Sequence, residues 1–140
     1  MTDRNNVILA TGAHDGSIKF WHAANASCTH TIAPTQVEPQ VNTLLTTPDK
    51  QYLAAGGHLN IRLFDPQFTN SNNVLSTFSG HLSNITGLVF QRESRWFATS
   101  SEDGTIKIWD PRVSGVQREF VCKSPLTAII LHSNQCELIA

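Results

Sequence analysis

The sequence predicts an all-β chain of about three consecutive four-stranded antiparallel blades, the repeating units of a β-propeller, and three observations carry that prediction. First, the chain matches itself: ATGAHDGSIKFWH at 10–22 and ATSSEDGTIKIWD at 98–110 agree at most positions without a gap. Second, LAAGGHLNIRLFD at 53–65 lies midway between them, so the aromatic anchors Trp21, Phe64 and Trp109 recur after 43 and then 45 residues. That spacing falls in or very near the period of about 40–45 residues at which four-stranded propeller units repeat. Third, Asp15-Gly16 and Asp103-Gly104 each stand between two β-rich runs. Such a pair is the strongest short-range hairpin signal, because a tight turn needs residues that tolerate positive φ.

The elements follow in order. ILATGA, SIKFWH, YLAAGG, NIRLFD, ITGLVF, WFATSS and TIKIWD are short, β-rich and bounded by Asp, Asn, Gly or Pro, so each reads as a strand. No helical pattern of ten residues or more intervenes. The run Val7 to Ala13 corresponds to the second strand of a blade, and the chain then passes through third, fourth and first. The permuted repeats fall at about 7–48, 52–91 and 96–133, and a further blade starts at 137–140, so that 1–140 forms one partial propeller. After LTAIILHS and the turn Asn134-Gln135-Cys136, the segment Glu137-Leu138-Ile139-Ala140 reads as the start of a second strand. Propellers close with typically about four to eight blades. The expectation is therefore an incomplete ring: a truncated product, or copies that self-associate through unprotected edges.

Composition excludes several classes. The chain has 140 residues, 40% hydrophobic and 15% charged, with a formal net charge of -1, as in one ordinary globular domain. Ten Lys+Arg against 11 Asp+Glu, with no basic run, argue against a surface that tracks nucleic-acid phosphates. The short apolar run VILA is no signal-peptide core, and no window approaches the roughly 20 apolar residues of a membrane span. Cys28, Cys122 and Cys136 are an odd, widely spaced set without a CxxC pair, which points to a reduced, cytoplasmic protein. In that setting the sequons Asn25-Ala26-Ser27 and Asn84-Ile85-Thr86 are chance matches.

The third unit carries its motif in full: Gly80-His81, then Thr99, Asp103 and Trp109-Asp110. These residues and their spacing resemble the WD-repeat family, and the resemblance implies that His81, Thr99, Asp103 and Trp109 form a hydrogen-bonded structural tetrad within a blade. Buried imidazole, hydroxyl, carboxylate and indole N–H can satisfy one another, which removes the penalty each would bear alone. The first unit keeps Thr11, Asp15 and Trp21, while its histidine would fall before residue 1. The second keeps only Phe64-Asp65 and shortens its turn to His58-Leu59-Asn60. A hydrolase triad of His81, Thr99 and Asp103 is set aside in favour of the structural role. A metal site on Cys28 and His30, two apart on one strand face, lacks further ligands. No catalytic, cofactor-binding or metal-binding residue is expected.

Four stretches narrow the resemblance: VILATGAHDGSIKFWHAANASCTHTI, QVNTLLTTPDKQYLAAGGHLNIRLFD, SRWFATSSEDGTIKIWDPR and HSNQCELI. In that order they resemble the N-terminal part of the small WD-repeat subunit of target-of-rapamycin kinase complexes, also called the G protein beta subunit-like protein. The resemblance implies a seven-bladed ring that begins on a second strand, and a non-catalytic subunit. Such a subunit binds and stabilises the kinase catalytic domain in both complexes, in nutrient and growth signalling. Exposed, rigidly held loops are the usual carriers of recognition, and those on the face of the Asp-Gly turns single out His14, Glu38, Gln40, His58, Asn84 and Glu102. The alternative role rests on Trp109-Asp110-Pro111-Arg112, which matches the WDxR pattern of substrate receptors on cullin-4 ubiquitin ligases, with Arg112 docking the adaptor.

Overall fold

The computed structural model describes residues 8–32, 40–49, 51–65, 74–113, 115–132, 134 and 137–140. Among them the chain is entirely β, in four antiparallel sheets. The first sheet has three strands, β1 (Ile8–Gly12), β2 (Ile18–His22) and β3 (Ser27–Ile32). The second has four, β4 (Thr43–Thr46), β5 (Leu53–Gly56), β6 (Asn60–Phe64) and β7 (Val74–Ser79). The third repeats it with β8 (Ile85–Phe90), β9 (Phe97–Ser101), β10 (Thr105–Trp109) and β11 (Val116–Val121). A final pair, β12 (Ile130–Leu131) and β13 (Leu138–Ile139), begins a fourth. Each sheet is a meander, and the strand that follows a sheet's outermost strand opens the next sheet. The sheets do not close into a ring among the described residues.

The sheets are stacked, and side-chain alternation explains how. Successive residues of a strand point to opposite faces, so β5 sends Leu53 and Ala55 toward the first sheet and Ala54 toward the third. Ile18, Phe20, Ile32, Val41 and Phe64 complete the first inter-sheet core. Ile61, Leu63, Phe78, Ile85, Leu88, Phe90, Phe97 and Trp109 fill the second. Ala98, Ile106 and Ile129 begin the third. A middle sheet is buried on both faces, which is why β5 and β9 read as unbroken runs of small or apolar residues.

Two local devices repeat along the chain. Gly16 (φ 87°) and Gly104 (φ 82°) supply the left-handed backbone of the hairpin turns. At each aromatic anchor the outer strand carries one extra residue, so the register slips between Phe20 and Trp21, between Leu63 and Phe64, and between Ile108 and Trp109. The first of these bulges corrects one sequence expectation. Cys28 and His30 pair with Trp21 and Phe20, neighbours whose side chains leave opposite faces, so they do not share a strand face. The His30 ring stacks on Phe20, whereas the Cys28 thiol lies 3.5 Å from the Thr31 hydroxyl. No cluster of metal-ligating side chains occurs among the described residues.

Candidate functional site

Two polar constellations stand out, one inside a blade and one across blades. The first gathers on β9, β10, the turn between them and the loop before β8. Trp109 Nε1 donates to Thr99 Oγ1 at 3.0 Å, and Thr99 Oγ1 lies 2.5 Å from His81 Nε2. His81 Nδ1 lies 3.1 Å from Asp103 Oδ2. The Asp103 carboxylate also accepts the backbone N–H groups of Leu82 and Thr105, both at 2.9 Å, and the Thr105 hydroxyl. Proton bookkeeping is then unambiguous. The ionised Asp103 carboxylate can only accept, so the single proton of the neutral imidazole sits on Nδ1; Nε2 then accepts the Thr99 hydroxyl proton, and Thr99 Oγ1 accepts the indole N–H.

Electrostatics agree with that assignment. Burial is the main force lowering the His81 pKa, and it outweighs the Asp103 carboxylate that pulls the other way. For Asp103, burial pushes the pKa up, yet the hydrogen bonds from Leu82, Thr105 and His81 together bring it down to about 2. A neutral imidazole therefore bonds a carboxylate. The set has no free valence and no route to a substrate, since His81 is 4% and Thr99 0% exposed. It joins loop, turn and two strands, and Trp109 stacks on Phe97 and meets Phe78 edge-on within the core.

The first blade holds the same motif in part. Trp21 Nε1 donates to Thr11 Oγ1 at 2.9 Å, and Asp15 accepts the backbone and hydroxyl of Ser17, as Asp103 does from Thr105. The second blade has Ala55 where the hydroxyl would be, and its Arg62 guanidinium lies over the Phe64 ring at 5.4 Å. Lys19, Arg62 and Lys107 each stand two residues before an anchor. Lys107 is buried and donates from Nζ to Glu119 Oε1 at 3.1 Å. Neither Thr105 nor Lys107 was singled out in the sequence. Their signal is the shared Ser-Ile-Lys, Asn-Ile-Arg and Thr-Ile-Lys opening of the third strand in each unit.

The second constellation joins four of the loop residues proposed for recognition. Asn84, just before β8, is its hub: Oδ1 accepts Gln40 Nε2 at 2.7 Å and lies 2.8 Å from His58 Nδ1, and Nδ2 donates to Glu102 Oε2 at 3.1 Å. Gln40 precedes β4, His58 lies in the β5–β6 turn and Glu102 in the β9–β10 turn. Backbone bonds hold these loops together across blades. Val41 N–H reaches Ala13, Ile85 N–H reaches Gly57 and Leu126 N–H reaches Ser101, the same latch at each junction. A further bond from Glu102 N–H to Asn84 fixes the hub itself. His14 is exposed in the β1–β2 turn at this end, outside the cluster, and Glu38 lies outside the described residues. Arg112 is at the opposite end of the third blade, after β10. There its guanidinium grips Asp110 through Nε and Nη2, both at 3.1 Å, which lowers the Asp110 pKa and raises its own.

The profile of the WD domain, G-beta repeat family matches residues 2–22 and 72–110, the segments that hold the partial and the complete tetrad. Those two segments are WD40 repeats. The chain's blades superpose on a chain in the crystal structure of a mitotic checkpoint complex with a TM-score of 0.81. That match covers 91% of this chain and 38% of the other at 22% identity, a likeness of fold alone. In sequence it resembles the target of rapamycin complex subunit wat1 of Schizosaccharomyces pombe, 42% identical over 98% of this chain and 43% of the relative. It also resembles the target of rapamycin complex subunit LST8 of Saccharomyces cerevisiae, 44% identical over 96% of this chain and 44% of the relative. A third relative, 39% identical over 98% of this chain and 43% of its own length, is the Arabidopsis thaliana protein named non-functional target of rapamycin complex subunit LST8-2. The chain thus spans less than half the length of these relatives.

Proposed function

We propose that this chain serves as a non-catalytic scaffold in target-of-rapamycin kinase complexes. In the cytoplasm it would bind and stabilise the kinase catalytic domain in nutrient and growth signalling. The observation that carries the proposal is the 42–44% identity, over nearly the whole chain, to proteins named as subunits of those complexes. The polar geometry supports a non-catalytic reading, because the His81, Thr99 and Asp103 set is consumed by internal hydrogen bonds in the core. We assign docking to the loop end where Gln40, His58, Asn84 and Glu102 converge, with His14 and Glu38 on the flanking loops. A hub that ties two blades together presents its outward groups in one fixed arrangement, so little ordering entropy is lost on binding.

Affinity capture with the chain as bait, followed by mass spectrometry, is expected to recover the target-of-rapamycin kinase. Glu102→Lys and Asn84→Asp are expected to weaken capture by about tenfold, the equivalent of about 1.4 kcal/mol, with Arg112→Ala unchanged. No kinase on the wild-type bait overturns the scaffold role. Undiminished capture by both loop variants overturns the docking face.

A further inference from the structure

Two dipeptides place a hydroxyl side chain directly before proline, Thr47-Pro48 and Ser124-Pro125, and the fold treats them in opposite ways. Thr47 is 4% exposed. Its hydroxyl donates to Asp49 Oδ1 at 2.5 Å and accepts the Tyr52 N–H at 3.1 Å, so it is out of reach and its proton is already engaged. Ser124 lies in the loop between β11 and β12, where Lys123, Ser124 and Pro125 are all exposed. The loop is tied at its base by Cys122 N–H to Gly104 at 2.7 Å and by Leu126 N–H to Ser101 at 3.1 Å. Between those ties the Ser124 hydroxyl has no hydrogen-bond partner among the described residues, in contrast to Ser17, Ser27, Ser101 and Thr105.

From this we infer that Ser124 is a phosphorylation site for a proline-directed serine/threonine kinase, and that phosphate there weakens docking at the neighbouring loop face. Pro125 disfavours helical backbone at Ser124, which stands in a bend of the exposed loop. Pro125 also brings no N–H, so it suits a kinase cleft that offers no acceptor after the phosphorylated residue, where any other residue would leave a donor unpaired. In the reaction Ser124 Oγ bonds to the γ-phosphorus of ATP as the bond to the β,γ-bridging oxygen breaks. ADP leaves, and the hydroxyl proton passes to the base of the modifying kinase. The product carries about -1.5 to -2 charges at neutral pH. Pro125, Leu126 and Thr127 line an open cleft with Ser83, Thr86 and Glu102, so the new charge arises beside the Glu102 end of the Asn84 cluster.

The test is to incubate the folded chain with ATP and a cyclin-dependent or mitogen-activated kinase and read the product by intact mass and peptide mapping. Phosphate is expected on Ser124 and not on Thr47, and Ser124→Ala should abolish it. A synthetic peptide of residues 119–129 reports that the enzyme is active. A folded chain left unmodified while the peptide is phosphorylated, or one modified at Thr47 instead, overturns the site. The effect on docking rests on the face proposed above, so capture of the target-of-rapamycin kinase is compared between the phosphorylated and Ser124→Ala chains. Unchanged capture by the fully phosphorylated chain overturns the regulation. A bait that captures no kinase in either form overturns the docking proposal instead, and the mass readout keeps the two apart.

Discussion

The first and third blades share nearly the same hairpin sequence yet differ in what surrounds it. Thr11 and Trp21 make the same indole-to-hydroxyl bond as Thr99 and Trp109, at 2.9 against 3.0 Å, but the first bond is exposed and the second buried. Strand β1 is mostly exposed, whereas every residue of β9 is buried. The third blade is packed between the second and the β12–β13 pair, and it receives His81 from the loop that leaves the second blade. The first packs on the second alone among the described residues. Local sequence is thus enough for the hairpin and the Trp–Thr bond, while the strength of the motif is conferred by its neighbours.

The largest expected consequence is at the anchors. Trp109 is fully buried among Phe78, Phe97 and His81, so Trp109→Ala should destabilise the chain by about 3–5 kcal/mol through lost burial and a cavity. Trp21 is half-buried, and Trp21→Ala should be milder, about 1–2 kcal/mol. Urea unfolding followed by circular dichroism measures both. Equal losses would break the comparison, because the neighbours would then add nothing to the motif.

Removing only the hydroxyl sharpens the same contrast. Thr99→Val keeps the shape but leaves the Trp109 N–H and His81 Nε2 unpaired in the core, at a cost of about 1–3 kcal/mol. At Thr11→Val the Trp21 N–H can turn to water, and the loss should stay below about 0.5 kcal/mol. A double substitution of Thr99 and Trp109 should cost less than the sum of the singles, since both remove the same bond.

Much of this architecture is legible in the sequence for a definite reason. A twice-buried strand such as Phe97–Ser101, a turn that needs positive φ at Gly104 and an aromatic anchor every blade each leave a local mark. The outer strands Val74–Ser79 and Val116–Val121 are harder to read, because an edge facing water places few demands on composition. The bulges opposite Trp21, Phe64 and Trp109 leave no mark either, which is why Cys28 and His30 fall on opposite faces. Loop positions at the Asp-Gly end could be chosen from chain order. That Asn84 joins Gln40, His58 and Glu102 depends on how neighbouring blades latch together, a tertiary fact with no signature at any one residue.

The smallest effect, and the most specific to the third blade, is expected in mild acid. His81 is held neutral in the fold, its pKa below the ordinary 6.5 chiefly through burial. Below pH 6.5 the unfolded chain therefore binds a proton that the folded chain resists, and stability must fall as pH falls. Asp103, held at about 2 against an ordinary 3.8, adds a second loss mainly between those two values, so the window from 6.5 to above 3.8 separates the histidine from Asp103. Urea midpoints across that window should decline for the wild-type chain and flatten for His81→Gln, which starts lower at neutral pH because the Thr99 and Asp103 bonds are weakened. The first blade holds its carboxylate, Asp15, chiefly through Ser17, so Asp15→Asn should leave the slope above pH 4 intact. An equal slope in wild type and His81→Gln would place the acid sensitivity outside the tetrad and would make the third blade no different from the first in this respect.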